Sequence, residues 1–368
     1  MGQGDKPVAS RAGSDLDGGM AHEVVVAPKA RPGDKVAVLS PSFAAPRLAP
    51  AVHDQGMRRL VEVTGLVPVE YPTTRLLGAS AQARAADLND AFSDVEVRAV
   101  LATVGGEDQI TVIPHLVPEL VRADPKPFLG YSDNTNLLNW LWVNGVGGFY
   151  GGSTQVHLGA GPAVDPIHAA SLRAALLTGE RLEVTEPGES EDFGRDWKDP
   201  AALTENGDRE PVEPWAWAGP SREVTGRTWG GCVEVLQWLL AAGRFPLDPA
   251  ELARGVLLLE TSEELIPARE FGWILRSLGE LGILAAVEAV LVARPPTSGF
   301  QRRPPSSERA ALRAAQRDTA VEVVERYNRD AVVVVGVPFG HTRPQWIVPY
   351  GGRVTVDGSR RRVWACYG

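Results

Sequence analysis

The sequence predicts an α/β protein whose parallel sheet is covered by helices on both faces. Two observations carry this. Short apolar runs of strand length recur along the chain, and segments of helical period separate them. Val36–Leu39 is the first buried strand, entered from the turn Arg31-Pro32-Gly33-Asp34 and ended by Ser40-Pro41-Ser42. Arg47–Thr64 has helical spacing, with Leu48, Val52, Met57, Leu60 and Val61 apolar. Val67–Glu70 reads as a strand, Ser80–Phe92 as an Ala-rich helix, and Val97–Val104 as a third strand stopped by Gly105-Gly106. Asp108–Leu120 follows as a helix despite Pro114, then strand Pro127–Leu129 and helix Asn134–Val143.

From Ser153 to Arg227 the pattern changes. A helix over Pro166–Thr178 is expected, and beyond it Glu, Asp, Gly, Pro and Trp show little periodicity. A loop this long in a compact protein is usually functional or disordered. The alternation resumes near Trp229. Helices are expected over Cys232–Ala242, Pro267–Leu281 and Ser307–Asn328. Strands are expected over Gly255–Glu260, Val287–Ala293 and Ala331–Val337, with closing strands at Val354–Asp357 and Arg362–Ala365. The resulting division is a disordered tail (1–22), an N-terminal domain (23–165), a linker and substrate loop (166–228) and a C-terminal domain (229–368). Met20, after Gly-Gly, is an alternative start to Met1.

Bulk properties narrow the function. The 368 residues are 44% hydrophobic and 23% charged, an ordinary globular balance. A net charge of -9 argues against a nucleic-acid partner, which needs clustered Lys and Arg. No apolar run approaches the roughly 20 residues that span a bilayer, so no membrane partner is expected. Two cysteines, Cys232 and Cys366, fit a reducing, cytoplasmic setting, and the six histidines form no HExxH or HxH pair. Neither a metal nor another cofactor is expected.

Three residues stand just past apolar strands, where open sheets bind ligands. Ser132, in Gly130-Tyr131-Ser132-Asp133, sits at a strand-to-helix turn. There a hydroxyl stands exposed and free helix N–H groups favour negative charge. The plainer reading of Ser132 or Asp133 is a helix cap. Glu260 follows four apolar residues, a costly place for an unpaired carboxylate. It suits the orientation of a histidine, or equally an ion pair at a sheet edge. His341 lies on a Gly-flanked turn after a buried strand, placed as a general base, although a lone histidine is more often structural. Together they supply nucleophile, acid and base in the order Ser, Glu, His. The N–H groups of Gly106 and Asp133 are the candidate oxyanion donors, and Gly105 a substrate contact. A simple tight turn is the alternative for the Gly pair.

The segments GYSDNTNLLNW (Gly130–Trp140), LLLETSEE (Leu257–Glu264) and GVPFGHTRPQWIVPYGG (Gly336–Gly352) resemble the LD-carboxypeptidase family of serine peptidases. TVGGEDQI (Thr103–Ile110) and AVLSPS (Ala37–Ser42) agree with it. TSEE, FGHTxPQ and PYGG are closest to its microcin C immunity branch. The resemblance implies a Rossmann-like N-terminal domain holding Ser132. It implies a C-terminal α/β domain of partly barrel-like character holding Glu260 and His341. It also implies a homodimer that needs no metal. In that branch a loop tryptophan stacks on the substrate's nucleotide, and Trp197 matches it, while Trp215 and Trp217 are expected to pack the loop. Cys232 stands where the family commonly has Asn. A small-molecule or peptide-nucleotide substrate is implied, with peptidyl- or aminoacyl-adenylate hydrolysis the leading activity. Muropeptide trimming in cell-wall recycling is the alternative. A non-catalytic small-molecule binding protein is the reading outside enzymes, and a dehydrogenase is disfavoured because no GxGxxG follows the first strand.

Overall fold

The computed structural model describes residues 23–244 and 248–368. The expected tail, 1–22, and the choice between Met1 and Met20 lie outside the described residues. The first half contributes strands β1 (Lys35–Leu39), β2 (Val67–Glu70), β3 (Val97–Ala102), β4 (Phe128–Gly130) and β5 (Gly148–Tyr150). Short strands follow in the middle of the chain: β6 (Arg181–Val184), β7 (Glu189–Ser190), β8 (Glu210–Pro211) and β9 (Ala216–Ala218). The remainder comprises β10 (Glu223–Cys232), β11 (Val256–Glu260), β12 (Ala289–Ala293), β13 (Val332–Val337), β14 (Val348–Tyr350), β15 (Arg353–Asp357) and β16 (Arg362–Cys366).

Two sheets hold most of these. The first has the order β14-β5-β4-β3-β1-β2, parallel throughout except for β14. The strand order reverses at β1, so a crevice opens beyond the carboxyl ends of β1 and β3. The helix Pro50–Thr64 starts on Pro50 and stops at Gly65, whose φ of 70° closes a left-handed cap. Ser80 caps the helix Ala81–Ser93 through the N–H of Ala83, and that helix packs on β1 and β3. The second sheet has the order β6-β16-β15-β10-β11-β12-β13-β9. Its centre, β10 to β13, is parallel and almost wholly buried, with the helices Ala268–Glu280 and Ser306–Tyr327 packed together beside it. β15, β16 and β6 extend it as an antiparallel flank, and the sheet stays open, with β6 and β9 at its edges.

The expected single helix over Asp108–Leu120 is corrected to two 3₁₀ turns, Gln109–Thr111 and Ile113–His115, and a short helix, Pro118–Ala123. Pro114 and Pro118 each remove an amide donor and clash with the preceding turn. Cys232 ends β10 rather than opening the following helix, Val233–Ala241. The expected boundary between residues 228 and 229 therefore falls inside one strand. The sheets are also stitched together: β14, from the C-terminal part, pairs with β5, while β6, from the middle, pairs with β16.

Candidate active site

The carboxyl ends of both sets of parallel strands open on one cleft of about 1140 Å³, lined by Ser132 and His341 among others. On the first wall, Gly130 ends β4. A Cβ there would lie 2.8 Å from Asn134 Cβ, so no larger residue lets the turn close this tightly. Ser132 then takes a φ of 61°, a left-handed conformation that costs a non-glycine residue roughly 1 kcal/mol or more. The turn Ser132–Asn134 leads directly into the helix Thr135–Val143. The Asp133 side chain is buried and scaffolds this turn, accepting from the Gln109 N–H at 2.9 Å, the Asn136 amide at 2.9 Å and the Ser42 hydroxyl. Burial pushes its carboxyl up while these donors pull it back. Gly105 faces Ser132 itself, since its Cβ would lie 2.8 Å from Ser132 Cβ and 3.0 Å from Oγ. Gly106 faces the loop after β1, where a Cβ would lie 2.7 Å from Ser42 Cβ.

The second wall carries the acid and the imidazole. Glu260 ends β11 and is fully buried. Its Oε2 lies 2.6 Å from His341 Nδ1, and its Oε1 accepts from the Tyr150 hydroxyl. Gly340 makes this closeness possible, because a Cβ there would lie 3.0 Å from Glu260 Oε2. The Tyr150 hydroxyl also receives the Ser132 N–H, at 3.3 Å. One tyrosine thus links the serine turn to the carboxylate that holds the histidine. The Tyr131 ring packs edge-on against His341, with centroids 4.9 Å apart. On the far side of the imidazole, Nε2 meets Glu263 Oε2 at 3.0 Å. Burial alone would lower the histidine's pKa, but Glu260 and Glu263 outweigh it and hold His341 well above its ordinary value. Glu263 in turn is held below the usual carboxylate range by His341, against a partial desolvation that opposes the shift.

Cys232 lies in register with Glu260 and is buried; its thiol bonds Glu234 at 3.2 Å. Burial and the Glu260 and Glu234 carboxylates push that thiol far up, which makes it a poor nucleophile. Trp197 stands on the cleft wall, half-buried against Ala49, Val52, Ala160 and Ala202. Trp215 and Trp217 pack on the core, and β9, which holds Trp217, pairs with β13. The segment bearing Trp197 is tethered at its start. Glu191 and Arg343 exchange backbone hydrogen bonds of 2.8 and 2.9 Å, and buried Asp192 pairs with Arg294 and accepts from Thr297 and Ser298. Among the described residues no cluster of His, Cys, Asp and Glu could hold a metal ion, and no helix is long and apolar enough to cross a membrane.

Sequence reasoning missed Tyr150 and Glu263. Tyr150 ends a three-residue strand between glycines, too short to read as an element. Glu263 lies inside the TSEE segment, three residues beyond Glu260, and its place on the Nε2 edge of His341 depends on a turn the sequence does not specify.

The LD-carboxypeptidase N-terminal domain family matches residues 36–151, and the LD-carboxypeptidase C-terminal domain family matches residues 225–356. A Vibrio cholerae protein provisionally named a carboxypeptidase is 27% identical over 334 residues, covering 88% of this chain and 92% of that protein. The Escherichia coli microcin C7 self-immunity protein MccF is 24% identical over 293 residues, covering 76% and 77%. MccF solved with glutamyl sulfamoyl guanosine superposes with a TM-score of 0.78 at 20% identity, covering 93% of this chain and 98% of that one. A MccF-like protein from Streptococcus pneumoniae, solved with AMP, gives 0.75 at 24% identity, covering 91% and 99%. These structures share the fold, and the two family matches span both walls of the cleft: the chain belongs to the LD-carboxypeptidase family.

Proposed function

We propose that this protein is a serine peptidase that hydrolyses the amide bond joining the acyl group to the nucleotide part of a microcin C-like peptidyl- or aminoacyl-adenylate, in which nitrogen makes that link. The observation that carries the proposal is the strained Ser132 at a strand-to-helix turn, in one cleft with a His341 whose Nδ1 is bound by buried Glu260. In this reading His341 takes the Ser132 proton as Oγ bonds to the carbonyl carbon. The N–H groups of Gly106 and Asp133 hold the oxyanion. His341 gives the proton to the leaving nitrogen, and water then releases the acyl group from Ser132. The nucleotide part of the substrate is supported by the ligands of the MccF structures and by Trp197 on the cleft wall, where a base can stack on its ring. By family resemblance, the chain works as a cytoplasmic homodimer.

The test feeds the purified protein an aminoacyl sulfamoyl-adenosine and a muropeptide tetrapeptide in parallel, with Ser132→Ala as control. Cleavage of the adenylate analogue by the wild type alone is expected. Cleavage of only the tetrapeptide moves the substrate to the cell wall. Full activity of Ser132→Ala, or failure of a fluorophosphonate to label Ser132, refutes the hydrolase reading and leaves a binding protein.

A further inference from the structure

The imidazole of His341 is held between two carboxylates that differ in freedom. Glu260 is fully buried, bonded to Tyr150 and closed in by Gly340. Glu263 is 69% exposed at its side chain while reaching the edge of an imidazole that is only 7% exposed. Its contact with Nε2 is ionic only: the 3.0 Å approach lacks hydrogen-bond geometry, and Nε2 has no hydrogen-bond partner. Nε2 is the atom that must accept the Ser132 proton, and it does so only with its lone pair free. The site as it stands therefore offers an imidazole whose working edge is covered by a carboxylate, with Glu260 and Glu263 both favouring its protonated form.

The same wall is anionic. Glu234, Glu263 and Glu264 line it beside Ser262 and Cys232. The buried cations of the cleft are committed elsewhere: Arg84 to Asp108, and Arg343 to Glu191 and Asp165. Among the described residues, the only cation that pairs with Glu263 is His341. The more exposed arginines of the cleft, Arg195 and Arg302, pair with Glu205 and Glu308, so each arginine lining it already has a carboxylate partner. An incoming cation would find a carboxylate able to turn toward it.

We infer that Glu263 is a specificity residue: it receives a positively charged group on the acyl part of the substrate, an α-ammonium, and by turning to it uncovers the base. The inference rests on the hydrolase reading above. As Glu263 leaves, the Nε2 proton passes to bulk water, and neutral imidazole then faces Ser132. Substrate charge thereby switches on the nucleophile, and an acyl group whose nitrogen is blocked gains no such help. The other groups around His341 do not provide this. Tyr131 presents a ring, Tyr150 acts on Glu260, His157 behind Tyr131 is kept neutral by burial, and Arg343 on the same loop is paired.

The experiment compares wild type, Glu263→Gln and Glu263→Asp on alanyl sulfamoyl-adenosine and its N-acetyl counterpart. It also follows fluorophosphonate labelling of Ser132 against pH. The wild type is expected to prefer the free amine by about tenfold or more in kcat/KM, one well-placed ion pair. In Glu263→Gln the preference falls within about threefold, and Glu263→Asp restores part of it. The labelling midpoint drops by about one pH unit in Glu263→Gln, because one of two carboxylates raising the histidine's pKa is gone. A merely structural glutamate would move neither reading. An unchanged preference, or an unchanged midpoint, overturns the inference while labelling itself upholds the hydrolase. Loss of all labelling and turnover in the wild type overturns both.

Discussion

Gly105→Ala tests whether the cleft is built around the Ser132 hydroxyl. The new methyl would stand 2.8 Å from Ser132 Cβ and 3.0 Å from its Oγ. Carbon atoms in contact settle at about 3.5–4.0 Å, so the serine must retreat by about 0.7–1.2 Å. Gly105 does not occupy the left-handed region, and the backbone itself tolerates alanine. The cost is therefore the clash alone, about 1–3 kcal/mol of stability for an overpacked contact. A misplacement of this size reduces reactivity roughly 100-fold. The assays are the second-order rate of fluorophosphonate labelling and urea unfolding. Adding Ser132→Gly to Gly105→Ala removes both colliding atoms and should recover most of the lost stability, as expected for two residues in direct contact. If Gly105→Ala is labelled as fast as the wild type, Gly105 does not border the reactive hydroxyl and the geometry drawn here is wrong.

Two further outcomes follow from the buried polar groups. Tyr150→Phe removes the hydroxyl that donates to Glu260 and accepts from Ser132, a charge-assisted bond and a weak one. A loss of about 2–4 kcal/mol on urea unfolding is expected, together with slower Ser132 labelling; a fully stable and fully reactive variant contradicts the link. His168 is buried, stacks on His157 and is held to about pKa 4 by its burial. The unfolded chain takes up this proton near pH 6.5 and the folded chain does not, so stability is complete above that pH and falls as the pH drops toward 4. The loss is roughly 3 kcal/mol, and His168→Gln should flatten that slope in unfolding measurements across the window.

The strands of both parallel sets are legible in the sequence because each is buried on two sides. VAVL, VRAVLA, VLLLE and VVVVGV are near-continuous apolar runs, followed by Ser40, Thr103, Thr261 and Pro338. The missed strands are those that local sequence does not drive. Gly148–Tyr150 has three residues, and β6 to β9 form only against partners distant in the chain. The positions of Ser132, Glu260 and His341 are legible for the same reason as the strands: each stands where an apolar run stops. Their mutual arrangement is not legible, since it depends on sheet order and on the register that sets Cys232 beside Glu260. Tyr150 and Glu263 fall in that gap. One acts across sheets, and the other across a turn.

The two walls of the cleft come from different sheets, yet they are not free to drift. β14 carries the C-terminal part into the first sheet, Tyr150 reaches from β5 to Glu260, and the Glu191–Arg343 bridge ties the tryptophan segment to the loop of His341. The Ser132 turn is strained and braced through Asp133, and the His341 imidazole is clamped at Nδ1. In a site so constrained, adjustment falls to the one member that is exposed and held by a single ionic contact. Glu263 meets that description, and Glu260, Tyr150 and Asp133 do not. Such a frame places the Ser132 hydroxyl and the His341 imidazole beforehand. On the proposed role of Glu263, the substrate's own charge then decides when that imidazole is uncovered, and discrimination between acyl groups rests on a residue that takes no part in bond making.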